Sequence, residues 1–237
     1  MIDLLERGRN IRSPVSTQYL GKRILGEYSL YDGSQSFFRS QSALMMIQGS
    51  TLSYVGDGSD MEEVSAFAGF IGVRRIESER KLPVDLPESE LLLMKYCSGK
   101  KEQGRFAVTV SEDIYSFAEF MHEHYPKTDI GFLYPFLVHR VRRRSLDVIY
   151  IIDEKGVICS GCMESHFDGI SYVSAVFTAP EHRGKGMASS VICEAVKRRN
   201  GRELFLCCEE DMRSYYEELG FEKTGSVYRY ILCEEIE

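Results

Sequence analysis

The chain has 237 residues, 43% hydrophobic and 27% charged, which excludes disorder as the dominant state and allows one large domain or two small ones. Lys and Arg number 29 against 36 Asp and Glu, and the formal net charge of -7 argues against wholesale electrostatic binding to nucleic acid or an anionic membrane. No apolar run reaches the roughly 20 residues a membrane helix needs, and residues 1–7 lack a signal peptide's order, so a cytoplasmic, non-membrane protein is expected.

Residues 43–47 and 51–55 are apolar runs flanking Gln48, Gly49 and Ser50, which predicts a β-hairpin. Asp60 predicts a helix N-cap, followed by Glu62 and Glu63, then by Val64, Phe67, Ala68 and Ile71 at spacings of three and four, with Gly72 as the stop. A strand over 73–76 follows. A segment carrying Pro83 and Pro87 then leads to Ser-Gly-Lys-Lys-Glu-Gln-Gly-Arg at 98–105, the best linker candidate. This divides the chain into a smaller α/β domain at 1–104 and a second domain at 105–237.

Beyond the linker the pattern predicts a strand over 106–110, then a helix with Ile114, Phe117, Ala118 and Met121 on one face, ending near His124. A second helix covers 131–144. Its end, His139-Arg140-Val141-Arg142-Arg143-Arg144, is the strongest basic cluster; cations in a last helical turn oppose the dipole's negative end, so solvated side chains are expected rather than a phosphate patch. Strands over 148–152, 156–163 and 171–178 with short turns predict an antiparallel meander. A helix over 186–199, a strand over 203–208, a helix over 211–219 and paired strands over 221–224 and 227–233 complete the order. The class is α/β (α+β), with a mixed, mostly antiparallel sheet flanked by helices. A weak echo links Asp60-Met61 and Gly69-Phe70 to Asp211-Met212 and Gly220-Phe221, hinting at a decayed duplication.

Seven cysteines without small-scaffold spacing predict reduced thiols. Cys159 and Cys162 match a CxxC spacing, but they lie in a strand rather than opening a helix. Cys207-Cys208 has the wrong spacing to complete a zinc site, so no metal is expected.

The most informative stretch follows the strand ending at Val176, Phe177 and Thr178: Ala179-Pro180-Glu181-His182-Arg183-Gly184-Lys185-Gly186-Met187-Ala188-Ser189-Ser190 opens a helix with Val191, Ile192 and Ala195 on its apolar face. Helix starts carry unpaired amides and a partial positive charge, and Gly184 and Gly186 let the backbone approach an anion closely. The loop is suited to phosphate. A P-loop is excluded because Lys185 precedes its glycine, and a dinucleotide fingerprint misses its third glycine at Ser189 and is set apart from its strand.

The pattern that fits is Arg-x-x-Gly-x-Ala, from Arg183 to Ala188, and here the chain resembles the GNAT superfamily of acyl-CoA-dependent N-acyltransferases. Tyr216-Glu217-Glu218-Leu219-Gly220-Phe221 resembles that superfamily's Tyr-x-x-x-Gly-Phe helix end, so the resemblance covers about residues 105–233. It implies acetyl-CoA as co-substrate. Backbone groups of Val176, Phe177 and Thr178 would pair with the pantetheine arm, and the amides of Arg183, Gly184, Lys185, Gly186, Met187, Ala188 and Ser189 would bind the pyrophosphate. The strand bearing the loop would splay from the one at 203–208, and Tyr216 would protonate the departing thiolate after an amine attacks the acyl carbon.

Two departures stand out. Glu209 occupies a position where many members have Asn, and the loop-bearing strand carries no acid to serve as base. Glu164 on the preceding strand is the best substitute, with His166 and Asp168 behind it, unless water relays the proton or the amine arrives neutral. The whole chain resembles bacterial two-domain members whose first half is a degenerate GNAT-like domain; with no phosphate loop before residue 105, only the second half is expected to bind acyl-CoA. The expected activity is N-acetyl transfer to a primary amine of a small molecule or peptide, by a monomer or homodimer. The competing reading is a non-catalytic acyl-CoA-binding or regulatory module.

Overall fold

The computed structural model describes residues 1–6, 19–30, 35–98, 104–124, 129–167 and 169–232. Its internal contacts divide the chain into two compact units, Met1–Leu93 with Cys207–Arg213 and Lys223–Glu237, and Met94–Leu206 with Ser214–Glu222. Most of the linker expected at 98–105 lies outside the described residues, as does Asp168.

The first unit holds β1 (Asp3–Leu4), α1 (Leu20–Leu30), β2 (Gln35–Arg39), β3 (Ala43–Gln48), β4 (Thr51–Gly56), α2 (Met61–Phe70) and β5 (Arg75–Ser78). Strands β2, β3 and β4 form an antiparallel meander, and the chain then crosses through α2 to β5, which runs parallel to β4. The expected β3–β4 hairpin turns at Gly49, whose φ of 58° favours glycine. Met45, Leu52, Val64, Ala68 and Ile76 form the core of this unit, each of the larger four stabilising it by about 1.5–3 kcal/mol relative to exposure.

Asp60 occupies the expected N-cap position of α2, but its carboxylate makes no cap bond. It accepts instead from the hydroxyls of Tyr54, at 2.6 Å, and Ser40. Leaving a buried Tyr54 hydroxyl unpaired costs more than leaving helix amides to water, so the tyrosine wins the carboxylate.

Strand β6 (Glu88–Tyr96) follows, where only an exit segment is expected from Pro83 and Pro87. Leu91, Leu92, Leu93 and Met94 are all buried, a continuous apolar run without the two-residue alternation that marks a strand in a sequence. The remaining elements are β7 (Thr109–Val110), α3 (Ile114–His124), α4 (Ile130–Arg142), β8 (Leu146–Ile152), β9 (Ile158–Phe167), β10 (Ile170–Thr178), α5 (Met187–Arg198), β11 (Glu203–Cys208), α6 (Arg213–Glu218) and β12 (Phe221–Ile231). The expected strand over 106–110 shrinks to β7. The hairpin expected over 221–233 is instead one strand, because Gly225 sits within β12 and the ladder from Tyr228 to Ile231 against β5 carries the chain straight on.

In the second unit the strands run in the order β7-β8-β9-β10-β11. The meander β8-β9-β10 is antiparallel, as expected, and α5 carries the crossover to the parallel strand β11. Helices α3 and α4 pack Phe117, Ala118, Met121, Leu133 and Leu137 against Val148, Tyr150 and Ile158. Their starts are held by carboxylates: Asp113 accepts from the Ser116 amide at 2.9 Å, and Asp129 from the Gly131 amide at 2.9 Å. One member of the basic cluster departs from expectation. Arg140 is only 1% exposed, donates from Nη2 to the Ser145 carbonyl at 3.3 Å and lies 5.7 Å from the Phe136 ring centroid, whereas Arg142, Arg143 and Arg144 are exposed.

Among the described residues no cysteine, Cys159 and Cys162 included, is in a disulfide. Among the described residues no helix is long and apolar enough to cross a membrane.

Candidate active site

The site is built where β10 and β11 part. Their parallel ladder joins Ile170, Ser171 and Tyr172 to Glu203, Leu204 and Phe205, and stops there, although β10 continues to Thr178. On the other edge β10 keeps its ladder with β9, interrupted by a register shift between Ser174 and Phe177. Ala175 within that shift has φ 52°, a left-handed conformation costly for a non-glycine residue. The backbone of Val176, Phe177 and Thr178 therefore lies past the fork, its edge toward β11 outside the ladder.

A 3-10 turn, Pro180–His182, leads from β10 into the glycine loop. Gly184 and Gly186 have φ of 73° and 85°, and a Cβ at either would meet nothing within 4 Å, so conformation rather than crowding demands glycine here. Gly186 is the N-cap of α5 and makes no side-chain cap, which leaves the first amides of that helix to an outside acceptor. Arg183 is partly committed: its Nε donates to the Thr178 carbonyl at 3.0 Å and its guanidinium lies 5.3 Å from the Phe177 ring centroid. Lys185 is exposed beside it. Met187 is buried against Cys159, while Ala188 and Ser189 are half-buried in the first turn. Anion-accepting amides, two left-handed glycines and an exposed lysine together fit a phosphorylated co-substrate.

The two tyrosines of α6 differ in their surroundings. The Tyr215 hydroxyl lies 3.1 Å from the Ser189 Oγ, a link the sequence did not signal, and burial pushes its phenol pKa up. Tyr216 is 7% exposed, with its ring edge-on to Tyr215 at 5.1 Å and to Phe221 at 6.0 Å. The Gly-Phe that completes the sequence motif thus supplies the wall that fixes the Tyr216 ring.

Glu164 stands apart from the loop. It pairs across the ladder with Val173, five residues before Thr178, which places it roughly 15 Å along the strand. Its carboxylate is fully buried, 3.6 Å from His166 Nδ1 and 3.9 Å from Arg202 Nη2. Burial raises its pKa, against the lowering pull of His166, Ser171 and Arg202. His166 reaches from Ser171 Oγ, at 3.2 Å, to Asp147 Oδ2, also at 3.2 Å, and Arg198 donates to that same Asp147 oxygen at 2.8 Å. The hydrogen bond from His166, then the one from Arg198, hold the Asp147 carboxyl well below the usual carboxylate range.

Donor atoms of Asp147, Glu164 and His166 lie within 4.8 Å of one another, a grouping a cation could use. Arg198 stands 2.8 Å from Asp147 and Arg202 3.9 Å from Glu164, and the imidazole faces Asp147 with one nitrogen and Glu164 with the other.

A meander, a crossover helix opened by a glycine loop, and a forked parallel pair define a GNAT-type acetyltransferase fold. Residues 145–223 match the family described as "Acetyltransferase (GNAT) domain". The chain is similar to a GCN5-related N-acetyltransferase from Kribbella flavida, with a TM-score of 0.63, 14% identity and 92% of this chain and 95% of that one covered. An acetyltransferase of the GNAT family from Colwellia psychrerythraea aligns with a TM-score of 0.58 at 12% identity, over 98% of this chain and 99% of that one. A tandem GNAT protein from the clavulanic acid biosynthesis pathway aligns with a TM-score of 0.54 at 12% identity, over 91% and 89%. Among curated proteins none matches.

Proposed function

We propose that the chain is an acetyl-CoA-dependent N-acetyltransferase acting on a primary amine, and that residues 105–237 carry the activity. The observation that carries this reading is the fork: β10 leaves β11 after Tyr172 and ends in a loop whose glycines and helix amides suit a pyrophosphate. Pantetheine would run along Val176, Phe177 and Thr178 as an added strand, using the backbone groups the ladder leaves out. The loop from Arg183 to Ser189 would hold the diphosphate, with Lys185 adding charge. Tyr216 would give its proton to the departing thiolate, and a backbone amide beside the Ala175 distortion would polarise the acyl carbonyl. Glu164, across the ladder from Val173, itself two residues before Ala175, would take the amine proton, unless water relays it or the amine arrives neutral.

The same element order appears in each unit, a helix, an antiparallel three-strand meander, a crossover helix and a parallel strand. This supports reading residues 1–104 as a decayed GNAT-like half, as does the likeness to a tandem GNAT protein. The matching loop after β4 is no phosphate site: the Tyr54 hydroxyl accepts from the Gly58 amide at 3.1 Å and donates to Asp60, filling it with a ring and an acid.

Measurement of thiol release from acetyl-CoA across a panel of amines tests the activity. Amine-dependent release is expected. Tight acetyl-CoA binding without turnover on any amine would support the non-catalytic module instead.

A further inference from the structure

Glu164, His166, Ser171 and Arg202 form a polar cluster of which the proposed chemistry uses Glu164 alone. Ser171 and Glu164 are both fully buried. Arg202 directly precedes β11, where the Glu203 amide donates to the Gly169 carbonyl at 3.1 Å. From there its Nε donates to Ser171 Oγ on β10 at 2.8 Å, and its Nη2 reaches toward Glu164 on β9. His166, also on β9, lies 3.2 Å from the same serine hydroxyl. Beyond it Asp147 on β8 ties the cluster to Arg198 in the last turn of α5. A single hydroxyl on β10 is thus held from both sides, one residue before the ladder with β11 ends.

We infer that Arg202 and Ser171, backed by Glu164 and His166, clamp the closed end of the β10–β11 fork and so set the width of the acyl-CoA cleft. The inference rests on the proposed reading of that fork as the co-substrate site. The physical reason is leverage. Two strands paired at three positions and free beyond them can pivot about the last pair, Tyr172 and Phe205, and a side chain spanning the strands one residue away limits the pivot. The buried carboxyl of Glu164 stands 3.9 Å from Arg202 Nη2 and bounds the far side of the guanidinium. Arg202, Ser171 and His166 are positioning residues, none of which touches the reacting atoms in this reading.

The test is the dissociation constant for acetyl-CoA, measured by calorimetry without acceptor on the full chain. Ser171→Ala and Arg202→Gln are each expected to weaken binding about tenfold, the scale of a lost hydrogen bond to a charged group. Because both remove the same bond, the double variant should be no weaker than the worse single one. Turnover at saturating acetyl-CoA should stay within about twofold of the unaltered chain, since the clamp adds nothing to the transition state. A core variant of α4, Leu133→Ala, controls for general loosening; it should lower the unfolding temperature at least as much as Ser171→Ala and leave the dissociation constant unchanged. If Leu133→Ala weakens binding equally, or if both clamp variants bind as the unaltered chain does, the clamp is overturned while the active-site reading stands. If the unaltered chain does not bind acetyl-CoA, both fall.

Discussion

The Tyr215 hydroxyl and the Ser189 hydroxyl meet at 3.1 Å, joining α6 to the first turn of the helix that opens the glycine loop. Two adjacent tyrosines therefore divide the work, one tying the loop helix down and the other packed edge-on against Phe221. Tyr216→Phe is expected to lower turnover by about 100-fold, the lower range for a positioned general acid, with acetyl-CoA affinity nearly intact. Tyr215→Phe should change affinity by only a few-fold, in line with one neutral hydrogen bond, and leave turnover close to normal. Steady-state kinetics on the two variants distinguish them. Loss of turnover in Tyr215→Phe alone would reverse the assignment.

Gly186→Ala tests the loop. A φ of 85° costs an alanine about 1–2 kcal/mol, yet the space around the position is open, so the variant should fold. The strain falls on the amides proposed to face the co-substrate. Acetyl-CoA affinity should drop about tenfold or more by calorimetry, with a smaller fall in unfolding temperature.

The exposed Lys185 should contribute through charge alone. Lys185→Gln is expected to raise the KM for acetyl-CoA by a few-fold at low salt, with the difference shrinking as ionic strength rises and the Debye length contracts. A KM difference that ignores salt would place the lysine elsewhere.

Asp147 and Glu164 predict opposite pH trends in stability. The folded-state pKa of Asp147 is depressed by His166 and Arg198, so its contribution is present above the ordinary value of 3.8 and is lost as pH falls through the lower folded value. Glu164 is raised by burial above 4.5; its neutral form is the one the fold favours, and stability from it declines as pH rises through the raised value. Glu164→Gln should therefore unfold at a relatively higher temperature near neutral pH than in acid, when compared with the unaltered chain. Asp147→Asn should lose stability at neutral pH and approach the unaltered chain only in strong acid. Thermal unfolding followed by circular dichroism from pH 2.5 to about 8 reads both trends.

In the first unit, Tyr54→Phe should lower stability by about 1–3 kcal/mol, because it removes the hydroxyl that satisfies both Gly58 and Asp60. Acetyl-CoA affinity should not change. A parallel loss of affinity would show that the first unit shares in binding.

Much of the second unit was legible from its residues, because its signals are local. The apolar runs of β8, β9 and β10 set between short turns, the apolar stripe of α3 and the glycine loop before α5 each belong to one short segment. Strand β6 was hidden because Leu91 to Met94 is apolar without a break, which periodicity cannot assign. The turn expected at Gly225 was overruled by the ladder between β12 and β5, a partner more than 140 residues away in the chain.

By itself the sequence located the loop, since two glycines, a lysine and a helix start lie within seven consecutive residues. Only the tertiary structure decided what surrounds that loop. It turned Arg183 back onto Thr178, brought Ser189 to Tyr215, and set Glu164 beside His166 and Arg202 in a buried cluster. The physical reason is that burial and pairing are properties of neighbours: a carboxylate acts as base or as brace according to the charges that strand pairing places beside it, and spacing along the chain does not reveal them.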